Sequence, residues 1–100
     1  MNQKERMLAG LPYKAWMDGL SEERIENRKR IYDYNLIRPD EQDKMDEQIK
    51  NILGRTGKNI FIEQPFHCDY GKNIEVGNNF YANFNCVILD VGKVVIKKWV

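Results

Sequence analysis

Hydrophobic residues recur at a six-residue period between Ile62 and Ile96. One register contains Ile62, Cys68, Ile74, Phe80 and Cys86. A second register, offset by two positions, contains Gln64, Tyr70, Val76, Ala82 and Ile88. Because residues two apart on a strand point to the same face, each pair places two side chains in one interior. The period predicts a β-helix of short strands and corners. A meander of short strands is the alternative, although it has no reason to hold a period of six.

The corners of the predicted coil fall at Gly71, Gly77 and Asn83, which are again six residues apart. Glycine, and after it asparagine, is the residue type that tolerates a left-handed corner. The register then slips by two positions over residues 89–93 and resumes at the next apolar pair. We interpret this slip as a small outward loop at one corner.

Three sides of six residues close a triangular coil of about eighteen residues, so Cys68 is expected directly beneath Cys86. Stacked neighbours point in parallel, and the two residues are expected to remain free, buried thiols. The cysteines have no C-x-x-C spacing, so neither a zinc site nor another metal site is predicted. A net charge of +1 gives no argument for nucleic acid or an anionic membrane. No stretch resembles a signal peptide or a membrane span, and a cytoplasmic protein is expected.

Three stretches before residue 58 have the apolar spacing and the end signals of helices. They are Gln3 to Ala9, a helix capped by Ser21 that ends near Leu36, and a helix from Glu41 to Leu53 capped by Asp40. The apolar stripe of the second helix is Ile25, Tyr32 and Leu36, and that of the third is Met45, Ile49, Ile52 and Leu53. These two helices form a hairpin that covers the open end of the β-helix. The sequence predicts an α+β chain, with a helical domain over residues 1–57 and a β-helix over residues 58–100.

Several motifs resemble one family of enzymes. The segment FHCDYGKNIEVGNNFYANFNCVILDVGKVVI resembles the entry segment of the maltose and galactoside O-acetyltransferases, which are hexapeptide-repeat acyltransferases. The stretches KERMLAG and LSEERIENRKRIYDYN resemble the small helical domain that precedes the repeats in that family. The resemblance implies a left-handed parallel β-helix and a homotrimer with active sites between subunits. It also implies acetyl-CoA as co-substrate, a sugar acceptor, and a histidine as general base on the acceptor hydroxyl.

Four residues match acceptor-site positions of the family. Asp69 and Asn83 match residues that contact the sugar, and Tyr81 and Asp90 lie beside them. Amides and carboxylates suit a polyhydroxylated acceptor because each makes two directed hydrogen bonds. Asn83 has an alternative role as a backbone corner, and the two carboxylates have one as solvated turn residues. His67 is the only histidine, but the family base belongs to a downstream THP or GHP segment, so His67 is not assigned that role.

The resemblance stops before the parts of the family that carry catalysis. The family chain continues for several coils, which hold the catalytic histidine and the coenzyme groove, whereas this sequence stops at Val100. Lys97 and Trp99 also stand where the family has Gly and Asn. We interpret the chain as truncated, without a catalytic residue and inactive alone; a short natural relative is the alternative. Its function is then either part of a sugar O-acetyltransferase, or a non-catalytic fragment or assembly module that associates with full-length subunits.

Overall fold

The computed structural model describes residues 1–97, which form three helices and seven short strands. The helices are α1 (Gln3–Leu8), α2 (Leu20–Asn35) and α3 (Gln42–Ile52). The strands are β1 (Arg55–Thr56), β2 (Phe61–Ile62), β3 (Phe66–Cys68), β4 (Ile74–Val76), β5 (Tyr81–Ala82), β6 (Cys86–Ile88) and β7 (Val94–Ile96). The expectation for Trp99 lies outside the described residues.

All four strand pairings are parallel, and each joins a strand to the one three places further along the chain. The three ladders are β1-β4-β7, β2-β5 and β3-β6. Successive passes of the chain therefore lie one above another. Within residues 1–97 no strand pairs with its immediate neighbour in sequence, which excludes the antiparallel meander there.

One pass of the chain takes twenty residues, and the expected coil of eighteen is wrong. Phe66 pairs with Cys86, and Cys68 pairs with Ile88. The two additional residues lie in the corner at 69–73 between β3 and β4, and again at 89–93 between β6 and β7. The register slip over residues 89–93 was thus predicted correctly. The same slip also occurs one pass earlier, over residues 69–73.

The expected stacking of the two cysteines is wrong for the same reason. Cys68 lies beside Ile88 and Cys86 beside Phe66, so the sulfur atoms belong to different positions of the ladder. Both thiols are free, as predicted; Cys68 is buried and Cys86 is half-buried. Burial raises the pKa of the Cys68 thiol to about 12, so the side chain packs as a small neutral group.

The left-handed corners fall on other residues than predicted. Positive φ angles occur at Asn79 (62°) and Asn85 (63°), whereas neither Gly77 nor Asn83 has one. Each of these asparagines immediately precedes an inward-facing side chain, so the chain turns at the end of a corner rather than in its middle. Only Gly71, with φ at 75°, matches the expectation. The corner explanation for Asn83 is therefore wrong.

The helices begin at other residues than the predicted caps. Gly19, with φ at 79°, occupies the N-cap of α2, and Ser21 lies in the first turn. Glu41 occupies the N-cap of α3, while Asp40 pairs with Arg38 at 3.0 Å. Neither helix has a side-chain cap: Gly19 has no side chain, and Glu41 makes no capping hydrogen bond.

The helical hairpin packs on the ladders through one face of each helix. The predicted face of α3 is confirmed, since Met45, Ile49, Ile52 and Leu53 are all buried. The predicted stripe of α2 is wrong, because Ile25, Tyr32 and Leu36 are 54%, 66% and 66% exposed. Its buried face is Leu20, Asn27, Ile31 and Tyr34. The main core includes Ile31 and Tyr34 of α2, the buried face of α3 and the inward side chains of the strands, whereas Leu20 belongs to a second cluster.

Candidate functional site

A groove of about 820 Å³ runs between α2 and the β3-β6 ladder. Its helix side carries the exposed apolar residues Ile25, Tyr32 and Leu36, and its strand side carries Val87 and Leu89. Its wall also carries polar side chains, which include Ser21, Arg24, Arg28, Asn35, His67 and Asp69. The groove therefore combines apolar side chains on both sides with charged groups of both signs.

Asp69 follows the last residue of β3 and is half-buried on the wall of this groove. Its backbone N–H donates to Oδ1 of Asp90 at 3.0 Å. Its carbonyl accepts a hydrogen bond from Nδ2 of Asn27 at 3.1 Å. Both backbone groups of Asp69 are thus bound by side chains from other elements, and its carboxylate remains available to the groove.

Asp90 lies behind this loop, and its carboxylate is completely buried. Oδ1 accepts from the backbone N–H groups of Asp69 and Tyr70 at 3.0 and 2.9 Å, and its carbonyl accepts from Nδ2 of Asn73 at 2.8 Å. Burial raises the pKa of Asp90, while the backbone donors lower it by a smaller amount. Asp90 therefore contacts the loop and does not line the groove.

Tyr81 lies on β5 and Asn83 directly follows that strand, whereas Asp69 follows β3 in a different ladder. The Tyr81 hydroxyl donates to Oε2 of Glu63 at 2.8 Å, and this bond raises the pKa of the phenol. The ring stacks on Phe61 with centroids 5.9 Å apart. Asn83 is exposed, and its Oδ1 accepts from the N–H of Phe84 at 2.8 Å. Neither residue lines the groove of Asp69 in the single chain.

Two polar residues of α2 were missed as site residues. Arg24 donates to the Tyr70 hydroxyl at 2.7 Å, and its guanidinium lies 5.8 Å from the centre of that ring. Asn27, one turn later, is completely buried against the loop of Asp69. Arg24 belongs to a basic stretch of the sequence that is typical of a solvated helix surface, whereas the i, i+3 spacing places both Arg24 and Asn27 toward the strands.

His67 lies on β3 beside Val87 and is exposed in the groove. The only imidazole of the sequence therefore lies two residues before Asp69 and lines the same groove. Within residues 1–97, no group of three or more His, Cys, Asp and Glu side chains is arranged to hold a metal ion. None of the helices in that range is long and apolar enough to span a bilayer.

The family model of the maltose acetyltransferase hexapeptide capping motif matches residues 6–57. The chain belongs to this acetyltransferase family. The match covers all of α2 and α3 and the start of the strands, so the capping motif is the hairpin that packs on the ladders.

Proteins that are similar to this chain include acetyltransferases. A putative acetyltransferase of Saccharomyces cerevisiae is 43% identical over 97 residues, covering 96% of this chain and 50% of that protein. The galactoside O-acetyltransferase of Escherichia coli is 38% identical over 90 residues, covering 90% of this chain and 44% of that protein. The chain spans about half the length of the curated relatives it matches.

Solved structures of acetyltransferases have the same fold. A galactoside acetyltransferase in complex with coenzyme A matches with a TM-score of 0.90 and 37% identity, over 95% of this chain and 48% of that chain. A maltose O-acetyltransferase from Clostridium difficile 630 matches with a TM-score of 0.91 and 40% identity, over 96% and 52%. A third neighbour is a complex with acetyl coenzyme A, and acetyl-CoA is the co-substrate in this family.

Proposed function

We propose that the protein is an acetyl-CoA-dependent O-acetyltransferase that modifies a sugar hydroxyl of the maltose, glucose or galactoside type. The observation that supports this best is Asp69, a carboxylate on the wall of an open groove whose backbone is bound on both sides. A carboxylate held in this way accepts hydrogen bonds from a hydroxylated ligand without first having to be ordered. The named activities of the relatives agree with such an acceptor.

In the proposed reaction the acceptor hydroxyl attacks the thioester carbonyl of acetyl-CoA. An ester bond to the sugar forms, the carbon–sulfur bond breaks, and the thiol of coenzyme A receives the proton. Asp69 accepts a hydrogen bond from the sugar. Tyr81 on β5 and Asn83 directly after it complete the acceptor site where subunits meet. Asp90 acts indirectly, because its carboxylate accepts hydrogen bonds from the backbone of the loop that contains Asp69.

We further propose that the complete fold is a left-handed β-helix of the hexapeptide-repeat type, assembled as a homotrimer, with a helical domain over residues 1–57. The exposed apolar residues Val87 and Leu89 support association at the groove, since they are 58% and 69% exposed in the single chain. The 100-residue chain is not active alone in this proposal. Its only histidine, His67, is not at the family's base position, and the coenzyme groove belongs to further coils. Acceptor-dependent consumption of acetyl-CoA by the chain alone would contradict this.

A chimera tests the proposed function. Residues 1–97 are joined to the second half of the Escherichia coli galactoside O-acetyltransferase, and acetyl-CoA consumption is measured with maltose, glucose and methyl galactoside. We expect acceptor-dependent turnover. Asp69→Ala should raise the acceptor KM by roughly tenfold to a hundredfold, because a hydrogen bond to a charged group contributes about 1.5–3 kcal/mol. The KM for acetyl-CoA should stay unchanged.

Asp43→Ala is the matched control, since Asp43 is an exposed carboxylate on α3 outside the groove. Circular dichroism of each variant verifies that the chimera folds. If Asp69→Ala and Asp43→Ala give the same acceptor KM, the assignment of Asp69 to the acceptor site is wrong.

A further inference from the structure

Two polar side chains are buried among the described residues, and both bind the loop of Asp69. Asn27 and Asp90 are each 0% exposed. Asn27 comes from α2 and Asp90 from the corner that follows β6, so they are far from the loop in sequence. Asn27 binds the carbonyl of Asp69, and Asp90 binds its N–H. The two peptide units on either side of Asp69 are therefore held by side chains from two other parts of the chain.

The contacts of Asn27 extend over two residues. Its Nδ2 donates to the carbonyls of Cys68 and Asp69, at 3.3 and 3.1 Å, and lies 3.5 Å from Sγ of Cys68. Cys68 is the last ladder position of β3, so no neighbouring strand is paired with Asp69, the residue that follows it. The amide of Asn27 takes the place of that strand.

Neither buried side chain is fully satisfied. Oδ1 of Asn27 and Oδ2 of Asp90 have no hydrogen-bond partner within the described chain. A buried polar atom without a partner costs about 1–3 kcal/mol. Apolar side chains at these two positions would avoid that cost, but they would leave the carbonyls of Cys68 and Asp69, or the N–H groups of Asp69 and Tyr70, without these partners. What the two residues contribute is therefore the fixed backbone of the Asp69 loop.

We propose that Asn27 and Asp90 are positioning residues for the acceptor site. By fixing both backbone groups of Asp69, they set the direction in which its side chain leaves the loop toward the groove. This role rests on the proposed function, in which Asp69 binds a sugar hydroxyl. Asn27 and Asp90 do not touch the acceptor; they lower the cost of ordering Asp69 when the sugar binds.

The test measures sugar binding by the chimera described above, which supplies the further coils of the fold, with maltose and methyl galactoside as probes in isothermal titration calorimetry. Asn27→Leu and Asp90→Leu each remove the hydrogen bonds and keep a similar volume. Each should raise the dissociation constant roughly tenfold. Asp90→Asn keeps an acceptor oxygen for the two backbone N–H groups and should stay within about twofold of the wild type. Met45→Leu, a conservative change in the core, is the control for stability.

The decisive comparison uses the Asp69→Ala background. If Asn27 and Asp90 act through Asp69, adding either leucine substitution to Asp69→Ala should weaken binding no further. Amide hydrogen exchange of Tyr70 is followed in parallel, and it should become faster in Asp90→Leu but not in Met45→Leu. Where a leucine variant does not fold, the alanine variant at the same position, Asn27→Ala or Asp90→Ala, replaces it.

Three results would overturn the proposal, and they can be told apart. Unchanged binding in the leucine variants, with weaker binding in Asp69→Ala, removes the positioning role and leaves the proposed function intact. Additive losses in the double variants show that the buried residues act independently of Asp69. Equal binding by the wild type and Asp69→Ala, or none by either, contradicts the acceptor role of Asp69, and the positioning role fails with it.

Discussion

Gly71 and Gly10 have the same backbone angle but different surroundings, which makes them a matched pair for mutation. Both have φ at 75°. An alanine in the left-handed region costs about 1–2 kcal/mol relative to the right-handed one. Gly10→Ala should therefore lower the free energy of unfolding by about this amount, because a Cβ there meets nothing within 4 Å.

Gly71→Ala should cost considerably more. A Cβ at Gly71 would lie 2.3 Å from the carbonyl oxygen of Ile52 and 2.9 Å from Oδ1 of Asn27. Relief of these contacts requires the loop to move. The Gly71 carbonyl accepts from the N–H groups of Gly54 and Ile74 at 3.1 and 3.0 Å, so that movement weakens two hydrogen bonds. With about 1 kcal/mol for each bond, we expect a total loss of roughly 3–4 kcal/mol.

Urea denaturation followed by circular dichroism measures both changes under the same conditions. Gly19→Ala is a second control, since Gly19 has φ at 79° and open space around its Cβ position. A loss near 3 kcal/mol is a large part of the ~5–15 kcal/mol that stabilises a typical domain. Equal losses at Gly71 and Gly10 would show that the loop is not packed against α2 and α3 as the structure describes.

Two further predictions concern buried titratable groups. Tyr34→Phe removes the bond from the Tyr34 hydroxyl to the buried carbonyl of Ile62, and it should cost about 1–3 kcal/mol in urea denaturation. Tyr32→Phe, on the exposed side of the same helix, should change stability by less than about 0.5 kcal/mol, and equal effects would contradict the buried bond. For Asp90, burial raises the pKa above 3.8, so its contribution to stability is fully present below pH 3.8 and is lost as the pH rises through the raised pKa. The stability of the wild type relative to Asp90→Asn should therefore increase when the urea midpoints are compared at pH 4.5 instead of pH 7, and a constant difference would show that Asp90 is not buried as a carboxylate.

The six-residue period predicted the strands but not the length of one pass. The sequence places Tyr70 two residues after Cys68, which has the spacing of an inward pair. Tyr70 is indeed buried, but it packs with Met7 and Leu20 in a second cluster outside the coil. Burial pattern alone does not say which interior a side chain enters, so the additional residues of the first corner could not be recognised.

The face of α2 was predicted incorrectly because two stripes have helical spacing. Ile25, Tyr32 and Leu36 form an entirely apolar stripe, whereas the buried stripe includes Asn27. A buried asparagine interrupts the hydrophobic pattern, and it is stable there only because two carbonyls of the chain lie at hydrogen-bond distance. Those carbonyls are about forty residues away in sequence, so local periodicity cannot indicate them.

The two residues that lengthen each pass also explain why Asp69 is available as a candidate site residue. In a regular corner the chain proceeds directly from one short strand to the next, and no polar group needs a partner from elsewhere. The longer corner at 69–73 leaves backbone groups beyond the end of β3 that the ladder does not pair. Asn27 from the capping helix and Asp90 from the equivalent corner one pass later supply those partners. The break in the repeat therefore creates a loop whose geometry depends on two other elements, and a departure from local regularity is where a functional site is expected.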